Sequence, residues 1–203
     1  MTLVPSASLV LASASAARCR LLTAAGIAMM VDPANIDEER IKASSWREGR
    51  TAEACAVALA EAKAAAVSAR HPEALVIGAD QMLDHDGNWL DKPRDRDHAQ
   101  RQLKSLRGRR HELVSAVALA QDDVLLWRHV ERASLTMRDF SDGFLDDYLD
   151  AIGERALTTV GGYEREGLGA QLFARIEGDY FAILGLPLLP LLDVLRSRLA
   201  LAA

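Results

Sequence analysis

An unbroken apolar run at residues 74–79, Ala-Leu-Val-Ile-Gly-Ala, limits the fold more than any other segment of this chain. A run without alternation of apolar and polar residues is typical of a strand buried on both faces. The Ala-rich segment 51–70 precedes it, with apolar residues at helical spacing and Thr51 in position to cap the first turn. A helix followed by a doubly buried strand favours an α/β sheet.

The rest of the chain continues this interleaving of helices and strands. We expect a strand at 9–12, a helix capped by Ser15 and ended by Gly26, a hairpin turn at 85–88, a helix capped by Asp95, strands at 113–120 and 124–137, a helix capped by Ser141, and a closing helix at 188–199. Because a hairpin requires antiparallel pairing, the predicted sheet is mixed. With no internal repeat and no linker, a single domain over 1–203 is expected.

Composition and charge argue against several classes of function. The formal net charge is −5, which gives no general attraction for a polyanion, so DNA binding is not expected. The most apolar tract, 181–192, contains two prolines and falls short of the roughly 20 residues that span a bilayer. The two cysteines, Cys19 and Cys55, form no zinc pattern, and no basic residue precedes Arg18 as a signal peptide requires. A reduced, cytoplasmic location is therefore expected.

Two segments place polar residues where α/β folds bind anions, beyond the carboxyl ends of strands. In the first, Ser13, Ser15 and Arg18 occupy a strand-to-helix junction that can hold a phosphate, although a plain helix cap with a solvated arginine explains the same residues. In the second, Asp80 ends the apolar strand, where it can serve as a general base, a metal ligand or a helix cap. Asp37 and Glu38, in a polar segment that looks like a surface turn, either share a divalent cation or remain solvated charges.

Seven short motifs occur in order between Leu9 and Leu195. They are Leu11-Ala12-Ser13-Ala14-Ser15 followed by Arg18, Ile36-Asp37-Glu38, Glu61-Ala62-Lys63-Ala64, Ile77-Gly78-Ala79-Asp80, Lys92-Pro93, Gly108-Arg109-Arg110-His111, and 176–180 followed by Gly185-Leu186-Pro187. Together they resemble the Maf family of nucleotide pyrophosphatases. One departure is Asp91, which replaces the glycine that precedes Lys-Pro in the family pattern.

The resemblance implies a fold, a reaction and a set of site residues. The fold is a mixed, twisted and elongated α/β sheet flanked by helices, with a central nucleotide-binding cleft. The reaction is hydrolysis of a nucleoside triphosphate between its α and β phosphates, with Mg²⁺ or Mn²⁺ to neutralise charge. In this hypothesis Glu38 and Asp80 bind the metal, and Asp80 also accepts the proton of the attacking water. The substrate is bound by Ser13, Ser15, Arg18, Lys63 and Lys92, and the protein is expected to be a homodimer.

Three positions concern the choice of substrate. Gln81 and Glu166 stand where the dTTP- and UTP-directed branch of the family has Thr or Ser and Gln, and the pair resembles the branch that acts on 7-methyl-GTP. A methylated guanine is cationic and presents N–H donors, which a carboxylate such as Glu166 accepts well. Ala17 departs from both branches, so the base pocket is expected to be wider or different. The alternatives are a dTTP/UTP pyrophosphatase and a nucleotide-binding regulator of cell division without turnover.

The histidines show no metal-ligand spacing. His71, His85, His98 and His129 are expected at the surface. His111 belongs either to the site, because its motif accompanies the site motifs, or to the structure of a strand end.

Overall fold

Residues 8–199, which the computed structural model of the protein describes, form seven strands and seven α-helices. The strands are β1 (Leu9–Leu11), β2 (Met30–Val31), β3 (Leu75–His85), β4 (Asn88–Leu90), β5 (Arg110–Gln121), β6 (Val124–Met137) and β7 (Phe173–Glu177). The helices are α1 (Ala16–Ala24), α2 (Glu38–Arg47), α3 (Ala52–Ser68), α4 (Arg96–Leu106), α5 (Asp142–Ile152), α6 (Tyr180–Ile183) and α7 (Leu188–Leu199). None of these helices has the length and apolarity to cross a membrane.

The strands make one twisted, mixed sheet in the order β2-β1-β3-β5-β6-β7, with β4 paired to β3. β1 runs parallel to β2 and to β3, and Val10 lies opposite Met30 on one side and Val76 on the other. β4 runs antiparallel to β3, and β7 runs antiparallel to β6. The predicted mixed α/β sheet flanked by helices is confirmed.

The predicted helix starts are confirmed by their caps. Each capping side chain accepts a hydrogen bond from the backbone N–H three residues later, and the four caps are Ser15, Thr51, Asp95 and Ser141. Such a bond satisfies one of the N–H groups that a first helical turn leaves without a partner. The predicted hairpin is also present, because Asp86 and Gly87 connect β3 to β4 with left-handed φ values of 52° and 82°.

Two predictions drawn from local pattern are wrong. β3 does not end at Asp80 but continues to His85, so Asp80 lies within the strand. The strand continues because Leu83 is buried and pairs with Leu90 of the hairpin. The segment that looked like a surface turn forms α2 instead, starting where Asp37 accepts the N–H of Arg40 at 2.9 Å. This helix lacks an apolar stripe in its sequence and packs against α3.

Backbone contacts group the described residues into two compact units. The first unit comprises residues 8–81, 114–132 and 179–199, and the second unit comprises residues 82–113 and 133–178. In the first unit, β1 and the start of β3 are buried on both faces. The two faces of β3 pack against different helices of that unit, and this arrangement confirms the predicted doubly buried strand.

One face of β3 carries Ile77, which packs in a cluster with Leu22 of α1 and Leu191 of α7. The other face carries Val76, which packs in a second cluster with Val67 of α3. At about 25 cal/mol per Å² of buried apolar surface, each fully buried Leu, Ile or Val stabilises the fold by about 1.5–3 kcal/mol. The start of β3 is thus held firmly between helices on both sides.

The second unit contains a buried pair of polar aromatic side chains. His111 is 2% exposed, and its Nε2 lies 2.8 Å from Tyr163 Oη. Burial, with a smaller effect of His85, lowers the pKa of His111 to about 4, so the ring is neutral near pH 7. The predicted surface position of His85 is wrong, because β3 extends to this residue and buries it with Nδ1 3.3 Å from the Arg110 carbonyl oxygen. The other three histidines expected at the surface are partly exposed.

Candidate active site

The candidate site in the first unit is built around the middle of β3. Side chains alternate between the two faces of a strand, so Gly78 and Asp80 face α3 whereas Gln81 faces the opposite side. A Cβ atom at Gly78 would lie 2.1 Å from the carbonyl oxygen of Ala60 and 2.6 Å from the backbone nitrogen of Ala64. Only glycine permits this approach. The close contact places the turn of α3 that carries Lys63 directly beside Asp80.

Lys63 of α3 makes the central contact of the site. Its ammonium lies 2.6 Å from Asp80 Oδ1 and 2.9 Å from Glu38 Oε1. The side chains of Lys63 and Asp80 are each 9% exposed, whereas that of Glu38, in the first turn of α2, is 41% exposed. Three residues from three separate elements therefore meet in a partly covered charge cluster.

Arg18 lies on α1 with its guanidinium buried. Nε donates to the Gly185 carbonyl oxygen at 2.8 Å, and Nη1 donates to Ser13 Oγ at 3.1 Å and to the Ala79 carbonyl oxygen at 2.9 Å. Burial lowers the pKa of Arg18, and the charges of Asp80 and Glu38 oppose part of that shift. An arginine keeps its charge under such conditions, so the site holds a second fixed cation. Among the described residues, Nη2 has no hydrogen-bond partner.

Ser13 and Ser15 occupy the junction between β1 and α1. Ser15 caps α1 by accepting the N–H of Arg18, and its own N–H donates to Ser13 Oγ at 3.2 Å. The capping interpretation left open by the sequence is thus correct for Ser15, and it is compatible with phosphate binding at the same junction. The solvated arginine of that interpretation is wrong, because Arg18 is tied to three partners. Ala17 is partly exposed in the first turn of α1.

Gln81 connects β3 to β5 and α6 on the face opposite Asp80. Its Nε2 donates to Ser115 Oγ at 2.9 Å and lies within 3.2 Å of the Ala182 and Ile183 carbonyl oxygens. Ser115 in turn donates to the Ala182 carbonyl oxygen at 2.7 Å. All partners of Nε2 are acceptors, so the amide orientation is fixed and Oε1 is the atom left to accept a further hydrogen bond.

The sequence interpretation missed Ser115, which holds Gln81 in place, and it named Gly185 within a motif without predicting that its carbonyl oxygen holds Arg18. One signal was present for Ser115, since it is a single hydroxyl within the apolar run of β5 and is fully buried. Buried hydroxyls need a partner, and such a residue is a candidate for a fixed network. Nothing local marked the carbonyl of Gly185, because its partner lies 167 residues away in the chain.

Lys92 and Glu166 belong to the second unit. Both are exposed there, Lys92 shortly after β4 and Glu166 in the turns before β7. The structure therefore brings together Ser13, Arg18, Glu38, Lys63 and Asp80 in the first unit, with Gln81 on the other face of the same strand.

The two carboxylates of the site, Asp80 and Glu38, are the residues that could bind a divalent cation. Within the described range, no three His, Cys, Asp or Glu side chains converge. Asp80 and Glu38 nevertheless contact the same ammonium group, so the two carboxylates converge on one position. Mg²⁺ is commonly bound by one or two carboxylates, with water and substrate phosphates completing its ligands. The donor set fits a cation that binds together with a phosphorylated substrate.

Comparison with known proteins adds a family to this geometry. The family described as Maf-like protein matches residues 8–198. A nucleoside triphosphate pyrophosphatase of Paramagnetospirillum magneticum is 57% identical over 93% of this chain and 97% of the relative. A 7-methyl-GTP pyrophosphatase of Rhizobium meliloti is 49% identical over 96% of this chain and 98% of the relative. Among solved structures, a nucleoside-triphosphatase, dITP/XTP pyrophosphatase, of Mycobacterium abscessus aligns over 95% of this chain and 94% of its own, at 16% identity and a TM-score of 0.46.

Proposed function

The chain belongs to the Maf family, and we propose that it is a nucleoside triphosphate pyrophosphatase. The reaction is hydrolysis between the α and β phosphates, which releases a nucleoside monophosphate and pyrophosphate. The observation that carries the proposal is the meeting of Lys63, Asp80 and Glu38 beside the buried cation of Arg18. The names of the relatives in Paramagnetospirillum and Rhizobium support the same activity.

The proposed roles follow from the position of each group. The Nη2 of Arg18 and the ammonium of Lys63 bind phosphate oxygens, and the small polar junction of Ser13 and Ser15 supports the same anion. Lys92 is proposed as a further phosphate ligand. Cations of this kind stabilise the transition state of phosphoryl transfer, which depends on neutralisation of charge and on alignment of the nucleophile.

Asp80 is proposed as the general base that accepts the proton of the attacking water. A carboxylate held at a defined position in a partly covered site is suited to orient and deprotonate water. Asp80 and Glu38 would also hold Mg²⁺ or Mn²⁺, which supplies charge neutralisation on the phosphates when bound.

We further propose 7-methyl-GTP as the preferred substrate. Gln81 presents a fixed acceptor oxygen, and the exposed carboxylate of Glu166 suits a cationic base that carries N–H donors. The 7-methyl-GTP pyrophosphatase of Rhizobium meliloti is one of the relatives. Turnover on 7-methyl-GTP, UTP, dTTP and the common ribonucleotides ranks the candidates, and a clear pyrimidine preference would assign the chain to the dTTP/UTP alternative.

The activity is tested by pyrophosphate release with Mg²⁺ or Mn²⁺ from wild type and Asp80→Asn. The variant keeps the size of the side chain and removes its charge, so turnover should fall by about 10²–10⁴-fold, as expected for loss of a general base. The matched control is Asp122→Asn in the exposed hairpin turn, where φ is 49° and asparagine is tolerated. Unchanged turnover in Asp80→Asn would refute its assigned role. A folded wild type that binds nucleotides but hydrolyses none would favour the regulator of cell division.

The proposal also includes a cytoplasmic location, a homodimer and a single functional domain over 1–203. Both cysteines are free, which agrees with a reducing compartment. Analytical ultracentrifugation of the protein tests the homodimer. A monomer at micromolar concentration would refute this part of the proposal.

A further inference from the structure

The ammonium of Lys63 occupies the position between two carboxylates that a bound cation would share. It contacts Asp80 at 2.6 Å and Glu38 at 2.9 Å, and these are hydrogen-bonded ion pairs. An ammonium has three N–H donors, and two of them are engaged here. In this arrangement the ammonium fills the position in which a cation would contact both of these oxygens.

The charges of the cluster balance in the free protein. Asp80 and Glu38 supply two negative charges, whereas Lys63 and Arg18 supply two positive ones, and the field of both carboxylates reaches Arg18. A site whose charges cancel attracts a divalent ion far less than two unpaired carboxylates do. The free protein is therefore poorly prepared to bind the metal alone.

We propose that Lys63 keeps the divalent cation out of the free protein, and that the cation enters only together with the triphosphate. This inference rests on the proposed function, since it assigns the metal–nucleotide complex as the form of substrate that the site accepts. Phosphate oxygens offer the ammonium a new partner, and the flexible four-carbon stem of Lys63 lets it move to them. The two carboxylates are then released for the cation, so that nucleotide and cation each increase the affinity of the site for the other.

The test measures Mn²⁺ binding to the nucleotide-free protein, using the electron paramagnetic resonance signal of free Mn²⁺. Wild type should bind Mn²⁺ weakly at this site, with a dissociation constant of roughly 10⁻³ M or above. In Lys63→Met the two carboxylates lose their internal cation, and Mn²⁺ should bind at least about tenfold more tightly, since one repulsive positive charge is removed at contact distance.

Three further variants define the site. Lys63→Arg keeps the positive charge and should bind Mn²⁺ as weakly as wild type. Lys104→Met is the matched control, because it removes the same charge from α4, where Lys104 pairs with Asp142 at 3.2 Å, and it should leave Mn²⁺ binding unchanged. In the double variant Lys63→Met with Asp80→Asn, the gain in affinity should disappear.

Several results would overturn the inference. One is tight Mn²⁺ binding by nucleotide-free wild type that is lost in Asp80→Asn, and this measurement decides even if Lys63→Met does not fold. Another is a folded Lys63→Met, checked by circular dichroism, that binds Mn²⁺ no better than wild type. If wild type still releases pyrophosphate, either result refutes only the proposed role of Lys63 and leaves the proposed function intact. A wild type without turnover on any nucleotide refutes the proposed function instead.

Discussion

Replacing Gly78 by alanine should separate α3 from β3 and disrupt the ion pair of Lys63 with Asp80. The added Cβ would lie 2.1 Å from the Ala60 carbonyl oxygen and 2.6 Å from the Ala64 nitrogen, and both are backbone atoms of a helix that cannot rotate away. Real Cβ contacts are essentially never shorter than 3.0 Å, so the helix must move by about 1 Å. Lys63 precedes Ala64 directly and moves with it.

The expected magnitude has two parts. Overpacking against backbone destabilises the protein by about 1–3 kcal/mol or more, and for a chain of this size that lowers Tm by about 2–12 °C. A displacement of about 1 Å at a catalytic group costs roughly 10²-fold in rate. We therefore expect Gly78→Ala to be folded, less stable and about 100-fold slower in pyrophosphate release.

The assay combines calorimetric or circular dichroism melting with turnover on the nucleotide panel. Gly143→Ala serves as control, because an added Cβ there meets nothing within 4 Å and the residue lies in α5. Alanine is favoured over glycine in a helix by about 1 kcal/mol, so this variant should equal or exceed wild type in stability. Wild-type stability and turnover in Gly78→Ala would refute the close packing of α3 on β3 as the device that positions Lys63.

Three other perturbations have defined outcomes. Arg18→Lys should lower the free energy of unfolding by about 2–4 kcal/mol in urea titrations, because a lysine cannot reproduce the three hydrogen bonds of the planar guanidinium. A change below about 0.5 kcal/mol would contradict a stabilising role for these three hydrogen bonds. Ser115→Ala should cost about 1–3 kcal/mol, since Gln81 loses an acceptor within a buried network, whereas equal stability would show that the network contributes nothing. His111 has a folded pKa of about 4, below its ordinary value of 6.5, so the unfolded state binds more protons between these values and stability falls as pH is lowered from 6.5 to 4. His111→Gln, which can still bond to Tyr163, should flatten that part of the pH–stability curve by up to about 3 kcal/mol, and an unchanged slope would assign the acid sensitivity to other groups.

Local sequence predicted the elements that short-range forces decide. The caps at Ser15 and Thr51 were predictable because a side-chain oxygen three residues before an N–H forms its bond within one turn of helix. The Asp86-Gly87 hairpin was predictable from the left-handed backbone that such a turn demands. The length of β3 was not predictable from local sequence. The strand continues past Asp80 because it pairs with β4 and buries Leu83, whereas the polar Asp80 makes the apolar run look finished.

The sequence by itself determined the mixed α/β fold, the buried start of β3 and, through the order of its motifs, the family. Only the tertiary structure decided which charges meet. Lys63 and Asp80 are 17 residues apart, and Arg18 and Gly185 are 167 residues apart. These contacts arise because Gly78 lets α3 lie on β3 and because the fold buries Arg18 where backbone carbonyls must satisfy it. Long-range packing of this kind has no local signature, since it depends on the shape of every element between the partners.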